Sequence, residues 1–371
     1  MIERTITQNI TGHFGDGKAI IIKGARQVGK TTLIKRLLPT EGVLWINGDR
    51  REDCELWGDI NANRLAFLLE GYRYLVIDEA QRIANIGVTA KIIIDEGFDV
   101  QLMLSGSSSL NLASSLNEPL TGRKWSYELY PISWAELRGS VGNYVALQQL
   151  EERLLMGSYP EIVTARQDTL RRLEEIASSY LYKDILDYGL IRKPELIDKL
   201  LRALAYQVGG EVSYNELANM LQIAAETVRR YIQLLEESYV IFRLPPLSTN
   251  PRKEISTSRK IYFVDNGIRN AIINNFDPLS LRQDHGALWE NYVVSEFHKH
   301  LKHTGDRAKM YFWRSKGGAE VDLVLQDGGS YRSYEIKYNP KKRPRFPASF
   351  LERYQPQVTA VVNRANFFKV L

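Results

Sequence analysis

Residues 24–33, GARQVGKTTL, combine residue types and a spacing that suit the binding of phosphate groups. They contain the pattern G-x-x-x-x-G-K-[ST], preceded by the apolar run AIIIK and followed by a segment with helical periodicity, as this motif requires. The two glycines allow a tight loop whose backbone N–H groups surround phosphate oxygens. Lys30 is placed to reach the β- and γ-phosphates, and Thr31 to ligate Mg²⁺. The candidate nucleotide-binding residues of this loop are Gly24, Gly29, Lys30, Thr31 and Thr32.

A pair of acids follows further along the chain. In YLVIDEA an apolar run leads into Asp78 and Glu79, as at the end of a buried strand. Asp78 is positioned to hold Mg²⁺ through water, and Glu79 to orient or deprotonate an attacking water molecule. With Lys30 and Thr31, these acids predict a site that binds ATP with Mg²⁺ and hydrolyses the ATP.

Two further residue types could assist this chemistry. The run VQLMLSGSSSL ends in a polar cluster, where Ser105 and Ser107 are both candidates for sensing the γ-phosphate; a serine-glycine cluster is also typical of a simple turn. The pattern does not choose between the two serines, and Ser107 is included among the catalytic candidates. Arg123, in EPLTGRKWSYEL, is either a surface arginine or a residue that reaches a neighbouring subunit's γ-phosphate.

The segment EVSYNELANMLQIAAETVRRYIQLLEESYVIFRL predicts a helix-turn-helix, with helices over 214–221 and 225–237. The strands YVIFRLPP and KIYFVDN, with LSTNPRKEISTSR between them as a basic wing, would complete a winged version. Thr227, Arg229 and Arg230 would then face the DNA major groove. A protein–protein module remains open, because nearby glutamates dilute the positive charge. The residues predicted to face inward are Leu217, Met220, Leu221, Val228, Ile232 and Leu235.

The last third of the chain contains a second candidate for chemistry. Glu290 lies on an amphipathic helix, Asp322 lies in a strand, and Glu335 and Lys337 are two residues apart on another strand and therefore share a face. Three carboxylates and a lysine could hold one or two Mg²⁺ ions and steer an attacking water. The constellation resembles the PD-(D/E)xK nuclease fold, with Val321 in place of the usual proline. A solvated ion network and an inactive DNA-binding scaffold are the alternatives.

A basic stretch begins just beyond this candidate site. The residues after 337 hold seven Lys or Arg and one acid, beginning with the KKRPR segment. Such a run usually forms a solvated surface, but beside a candidate metal site it also suits a phosphate backbone. Lys341, Lys342 and Arg343 are the predicted DNA contacts here.

Composition limits the classes of protein that fit. The 371 residues have a net charge of +5, which permits a polyanionic partner without requiring one. The single cysteine, Cys54, indicates a reducing compartment and excludes an internal disulfide. Five scattered histidines make no metal-binding spacing with it. No apolar run has the length of a membrane helix, so we expect a cytoplasmic protein without membrane contact.

The distribution of apolar runs then divides the chain. Up to about residue 135, short apolar runs alternate with helical stretches, which is the rhythm of a parallel α/β sheet covered on both faces. A mostly helical block follows, and strands return after about 245. The predicted fold is α/β: a P-loop ATPase core (1–140), a helical lid (141–190), a winged helix-turn-helix (191–262) and a restriction-endonuclease-like domain (263–371).

The motif series resembles the prokaryotic AAA+ ATPases of archaeal type that carry a C-terminal DUF4143 domain. The residues that carry the resemblance are IKGARQVGKTT, YLVIDEAQ, LSGSSSLNL, LTGRKWSYELYPISWAEL and GSYPEIV. The resemblance implies an AAA+ core, and it implies that GSYP is an element of the lid in contact with the adenine. Gly157 and Pro160 would then lie near the base; their own pattern indicates only a turn.

Three functions fit these observations. The first is a DNA-dependent motor or remodeller that works as a homo-oligomer, plausibly a ring, if Arg123 acts on the neighbouring subunit. The second is an ATP-gated DNA nuclease that uses Asp322 and Lys337. The third is a signalling switch without enzymatic output, in which ATP sets an interaction surface. The first is our principal expectation.

Overall fold

The computed structural model describes residues 2–107, 119–186, 194–248 and 259–371, with the backbone alone for 179–186. The described chain forms two compact units. The first comprises Met1–Tyr130 with Glu237–Tyr239, and the second comprises Pro131–Glu236 with Val240–Leu371.

The first unit is built on a five-stranded sheet in which every neighbouring pair of strands is parallel. Its strands are β1 (Ala19–Lys23), β2 (Val43–Asn47), β3 (Tyr74–Asp78), β4 (Gln101–Gly106) and β5 (Lys124–Glu128). The strand order is β2-β3-β4-β1-β5. The apolar runs AIIIKG, GVLWING, YRYLVIDEA and VQLMLSG, which the sequence predicts as strands, become β1 to β4, so the predicted parallel α/β core is confirmed.

The helices of this unit cover a sheet whose central strands are apolar on both sides. The helices are α1 (Thr7–Thr11), α2 (Lys30–Leu37), α3 (Arg51–Trp57), α4 (Ala62–Leu69) and α5 (Ile86–Asp95), with a short 3-10 turn at Ala80–Arg82. In β1 the side chains of Ile20, Ile21 and Ile22 are all buried, although successive residues of a strand point to opposite faces. One core contains Ile21, Trp57, Leu75, Ile77 and Leu104. Burial on both faces is what a parallel sheet requires.

The second unit begins with helices. These are α6 (Trp134–Val141), α7 (Asn143–Gln148), α8 (Leu150–Met156), α9 (Pro160–Thr164), α10 (Thr169–Leu186) and α11 (Pro194–Tyr206). Helix α6 starts with a capping box: Glu136 N donates to Ser133 Oγ at 3.2 Å, and Ser133 N donates to Glu136 Oε2 at 2.9 Å. Helix α9 starts with Pro160, whose missing N–H costs nothing at this position.

Next come two helices and a small sheet. They are β6 (Glu211–Val212), α12 (Tyr214–Leu221), α13 (Ala225–Glu237), β7 (Ile241–Leu244) and β8 (Arg259–Phe263). The three strands form an antiparallel sheet with order β6-β8-β7. Both helices have the bounds that the sequence predicts. Most of the predicted wing, 249–258, lies outside the described residues.

One prediction about the faces of these helices is wrong. Met220 is 55% exposed, whereas Leu217 and Leu221 are buried. At 100° per residue, Leu217, Ala218 and Leu221 define the buried stripe of α12, and Met220 lies about 100° outside the centre of that stripe. The other predicted inward residues, Val228, Ile232 and Leu235, are buried.

The chain ends in a mixed sheet beside a long helix. The elements are α14 (Asn266–Ile272), α15 (His285–Thr304), β9 (Lys309–Arg314), β10 (Glu320–Asp327), β11 (Ser330–Ile336), α16 (Ala348–Tyr354) and β12 (Val358–Val362), followed by a 3-10 turn at Phe367–Lys369. The strand order is β12-β11-β10-β9, with β11 and β12 parallel and the other pairs antiparallel. Trp313, Val324 and Phe350 belong to the core against this sheet.

Candidate functional site

The phosphate-binding loop connects β1 to α2 at the carboxyl edge of the parallel sheet. Gly29 has φ +95° and is the N-cap of α2, a left-handed conformation that favours glycine. Gly24 is required for a different reason: a Cβ atom there would lie 2.2 Å from the carbonyl oxygen of Leu129. The two predicted glycines therefore allow the turn and the close packing of the loop on the chain that leaves β5.

Lys30 and its neighbours begin helix α2. The Lys30 side chain is buried, and its Nζ donates to the carbonyl oxygens of Gly24 at 2.9 Å and Ala25 at 2.8 Å. The ammonium is thus held inside the loop, where phosphate oxygens can replace the carbonyl acceptors. Thr31 is half-buried and Thr32 is exposed on the same turn.

The predicted acidic residues lie at the same edge. Thr31 Oγ1 donates to Asp78 Oδ2 at 2.7 Å, and Ser105 Oγ donates to Asp78 Oδ1. The hydrogen bond to Thr31 joins the first turn of α2 to the end of β3. A hydroxyl and a carboxylate beside a phosphate-binding loop are the hard oxygen ligands that Mg²⁺ accepts together with waters and phosphates, so these residues fit the predicted ion.

Glu79 occupies the next position and has an unusual backbone. Its φ of +50° is left-handed, which is costly for a residue other than glycine. Gln81 Nε2 donates to Glu79 Oε2 at 2.6 Å and to Ser107 Oγ at 3.3 Å. The two serines of the predicted cluster therefore differ: Ser105 contacts Asp78, and Ser107 is linked to Glu79 through Gln81. Gln81 is not among the predicted site residues, although it lies in the YLVIDEAQ motif.

Arg123 lies at the other edge of this sheet. Its carbonyl accepts from Ala19 N at 2.9 Å, at the start of β1, whereas the phosphate-binding loop follows the end of β1. A five-residue strand spans about 16 Å. The guanidinium forms an ion pair with Asp95, and both side chains are 39% exposed. Within its own sheet Arg123 is therefore remote from the phosphate-binding loop.

The predicted adenine-binding residues are in the second unit. Gly157 has φ +76°, and a Cβ atom there would lie 1.9 Å from Asp265 Oδ1. The Asp265 carboxylate also accepts from Ser158 N at 2.7 Å and from Gly267 N at 2.9 Å. These contacts account for a glycine at 157 without a nucleotide. Pro160 begins α9 and is half-buried.

The predicted DNA-reading residues are on α13. Arg229 and Arg230 are exposed, and Thr227 is half-buried. Arg229 Nη1 lies 3.5 Å from Glu226 Oε2, so part of its charge is already balanced within the helix. Lys341, Lys342 and Arg343 are all exposed in the segment that follows β11.

The second predicted site is a charged cluster in the C-terminal half. Lys337 Nζ lies 2.7 Å from Asp322 Oδ2 and 2.8 Å from Glu335 Oε2. Asp322 Oδ2 also accepts from Ile336 N at 2.7 Å. Strands β10 and β11 thus bring together three of the four predicted residues.

Glu290, the fourth, is held by residues that the sequence analysis missed. Its Oε1 accepts from Tyr262 Oη at 2.8 Å and lies 3.2 Å from Lys260 Nζ. Lys260 also pairs with Glu320, two residues before Asp322 on β10. We refer to Glu290, Glu320, Asp322 and Glu335 as the carboxylate cluster. Glu320 could have been found from the sequence, because it lies two residues before Asp322 and so shares its face of β10. No feature of the neighbouring sequence indicates a role for Lys260.

The pKa values reflect this crowding. Burial raises the pKa of Glu335 to about 7, and the charge of Asp322 adds to this effect while Lys337 opposes it. Burial also raises the pKa of Glu290, against the influence of Lys260. For Lys337, burial favours a lower pKa, but Asp322 and Glu335 outweigh it and the pKa is raised. The charges of these acids and lysines therefore shift one another's pKa values.

The carboxylate cluster does not have the arrangement of a metal centre. Across the described ranges, no group of three or more His, Cys, Asp or Glu side chains is disposed to hold a metal ion. In this cluster the ammonium groups of Lys260 and Lys337 lie between the acids instead. The predicted fit to one or two Mg²⁺ ions is thus not supported by these contacts.

Comparison with protein families agrees with the first unit. Residues 16–138 match the family described as "AAA domain", and residues 285–368 match a domain of unknown function, DUF4143. Residues 147–279 match a second domain of unknown function, DUF8612. The parallel sheet and the phosphate-binding edge of the first unit are those of a P-loop domain, in agreement with the AAA match. The chain therefore contains an AAA-like region at residues 16–138 and a region similar to DUF4143 at residues 285–368.

Individual relatives span most of the chain. The uncharacterized protein Rv2008c of Mycobacterium tuberculosis is 29% identical over 329 residues, covering 86% of this chain and 70% of the relative. The uncharacterized protein MJ1637 of Methanocaldococcus jannaschii is 25% identical over 349 residues, covering 82% and 72%. Among solved structures, the Walker-type ATPase paby2304 of Pyrococcus abyssi has a TM-score of 0.49 at 15% identity, covering 72% of this chain and 94% of that one. No helix in the described ranges is long and apolar enough to cross a membrane.

Proposed function

We propose that this protein is a Mg²⁺-dependent ATPase that acts on DNA as a homo-oligomer. The observation that carries the ATPase proposal is the hydrogen bond between Thr31 and Asp78, beside the ammonium of Lys30. One edge of the sheet thereby gathers a phosphate-binding loop, a cation and two ligands suited to a divalent ion. Thr31 and Asp78 would hold Mg²⁺, which supplies charge neutralisation on the β- and γ-phosphates.

The protein's own residues divide the remaining work. When ATP binds, the Lys30 ammonium exchanges its carbonyl acceptors for phosphate oxygens. Phosphate oxygens carry more negative charge than carbonyl oxygens and therefore accept stronger hydrogen bonds. Glu79 accepts a proton from the attacking water. Gln81 orients that carboxylate from the side of Ser107.

A binding experiment tests the first step. We expect a fluorescent ATP analogue to bind the wild-type protein in the presence of Mg²⁺ and to lose at least about tenfold in affinity with Lys30→Ala, because a charge-assisted contact is removed. Lys91→Ala, which removes another lysine of the first unit away from the loop, is the matched control. Equal affinities of wild type and Lys30→Ala would remove the proposal.

The DNA proposal rests on the second unit. The order α11, β6, α12, α13, β7 and β8 agrees with a winged helix-turn-helix, in which the second helix of the pair enters the major groove. Arg229 and Arg230 are exposed on that helix, and Lys341, Lys342 and Arg343 are exposed elsewhere in the unit. These features support duplex binding. We also propose the domain divisions that the sequence predicts: 1–140, 141–190, 191–262 and 263–371.

Salt dependence tests whether these two arginines contact the DNA backbone. The double variant Arg229→Ala, Arg230→Ala is expected to lower duplex affinity and to reduce the slope of log affinity against log salt by about 2, one for each phosphate contact. The double variant Arg171→Ala, Arg172→Ala, which removes two other exposed arginines of the second unit, controls for net charge. DNA that neither binds nor stimulates ATP turnover would favour the signalling switch instead.

A further inference from the structure

Lys260 lies at the start of β8 and points into the carboxylate cluster. Its side chain is 5% exposed. The Nζ atom lies 3.2 Å from Glu290 Oε1 on α15 and forms an ion pair with Glu320 at the start of β10. One buried ammonium therefore links three separate elements of the second unit.

Lys337 forms the corresponding bridge on the other side of the cluster. It contacts Asp322 and Glu335 at 2.7 Å and 2.8 Å. Each of the four carboxylates thus has an ammonium partner. Lys337 was a predicted member of this site, whereas Lys260 adds a second ammonium among the acids that were predicted to hold Mg²⁺.

A divalent ion and Lys260 compete for the same oxygen atoms. Mg²⁺ binds carboxylate oxygens at about 2.0–2.1 Å and tolerates little departure from octahedral geometry. An ammonium within hydrogen-bonding distance of the same oxygens opposes such an ion through like-charge repulsion, which is strong where water is excluded. Lys260 cannot easily withdraw, because it is buried and its ammonium lies 5.6 Å from the centre of the Phe312 ring.

Lys260 also keeps its charge at neutral pH. Burial favours a lower pKa for this lysine, but the charges of Glu290 and Glu320 outweigh burial, and the pKa is raised. The two carboxylates thus stabilise the ammonium form of Lys260 in its buried position.

We propose that Lys260 is the resident cation of the carboxylate cluster and closes it to divalent metal ions. The cluster then lacks a divalent ion to activate a water molecule, so we expect no metal-dependent cleavage there. This inference concerns the second unit and is independent of the proposed ATPase activity.

Mn²⁺ binding to the full chain without nucleotide tests this directly, with free Mn²⁺ followed by electron paramagnetic resonance. We expect Lys260→Met to bind Mn²⁺ at one site that the wild type lacks. The affinity of this site should be at least about tenfold higher than any that the wild-type cluster shows. Asp322→Asn added to Lys260→Met should abolish that gain. Lys309→Met, which removes an exposed lysine of β9 in the same sheet, should behave as wild type.

Thermal unfolding supplies a second readout. Lys260→Met leaves buried acids with one ammonium fewer, so its melting temperature should fall without metal and recover when Mn²⁺ is added, since a ligand that binds only the folded state stabilises it. The wild-type melting temperature should not respond to Mn²⁺. If Lys260→Met does not fold, Lys260→Gln retains a hydrogen-bond donor and should show the same gain.

Two results would overturn the inference. One is a Mn²⁺ site in the wild-type protein that Asp322→Asn removes. The other is a folded Lys260 variant whose Mn²⁺ binding equals that of wild type.

Discussion

The side-chain amide nitrogen of Gln81 lies 2.6 Å from the Oε2 atom of Glu79 and 3.3 Å from the hydroxyl of Ser107. One side chain thereby connects the proposed catalytic acid, after β3, with the end of the adjacent strand β4. Were Ser107 to contact the γ-phosphate, as the sequence predicts, a single amide would connect that contact to Glu79. Gln81 is therefore a positioning residue in the proposed reaction.

Gln81→Ala is expected to lower kcat for ATP hydrolysis by about tenfold or more while KM changes little, because the orientation of Glu79 matters in the reaction and not in nucleotide binding. Steady-state turnover with ATP varied around KM measures both constants. Gln8→Ala, at an exposed position of α1, should leave them unchanged. A kcat within about twofold of wild type would show that Glu79 does not need this contact.

Arg123 should act only on a neighbouring subunit, since it lies at the edge of the sheet opposite the phosphate-binding loop. We expect Arg123→Ala and Lys30→Ala each to be inactive alone and to regain part of the wild-type turnover when mixed, because some interfaces then combine an intact loop with an intact arginine. Arg64→Ala, an exposed arginine of α4, should stay active. Mixtures as inactive as their components would count against an active site shared between subunits.

The parallel core was predictable because its signals are local. A fixed motif, an apolar run before it and an acid pair after another run each follow from neighbouring residues, and β1 to β4 form where those runs lie. The edge strand β5, KWSYE, was not predicted, because its half-buried residues lack such a run.

The missed residues have a different cause. Lys260 and Glu320 meet Glu290 only after β8, β10 and α15 pack together. No spacing along the sequence predicts these contacts. Met220 was assigned to the core from its spacing to Leu217, but spacing alone does not fix where the centre of a buried stripe lies.

Gly157 provides a test of packing against nucleotide contact. Gly157→Ala should lower the free energy of unfolding by about 2 kcal/mol or more in the absence of nucleotide, because its Cβ would collide with Asp265 and its backbone is left-handed. The loss should be smaller in an Asp265→Ala background, measured by urea unfolding. Gly139→Ala, where a Cβ meets open space, is the control. Unchanged stability with weakened ATP binding would favour the adenine contact instead.

Glu335 should make stability depend on pH. Its pKa is about 7 in the folded protein against an ordinary value of 4.5, so the folded state holds the proton more tightly between these values. This contribution is complete below about pH 4.5 and is lost as the pH rises to about 7, so the free energy of unfolding should fall by about 2 kcal/mol from pH 5 to pH 8.

Urea unfolding at several pH values measures that slope. Glu335→Gln should remove the contribution, whereas Glu352→Gln, at an exposed position of α16, should keep the wild-type slope. Parallel pH profiles for wild type and Glu335→Gln would show that this carboxyl is not perturbed.

The most direct test of the account is ATP hydrolysis in a single turnover, with enzyme in excess, for wild type and Glu79→Gln. We predict that both bind ATP with Mg²⁺ and that Glu79→Gln cleaves it at least about a hundredfold more slowly, because the amide cannot accept a proton from water. Cleavage by Glu79→Gln at the wild-type rate, or no cleavage by wild type with or without DNA, would contradict it.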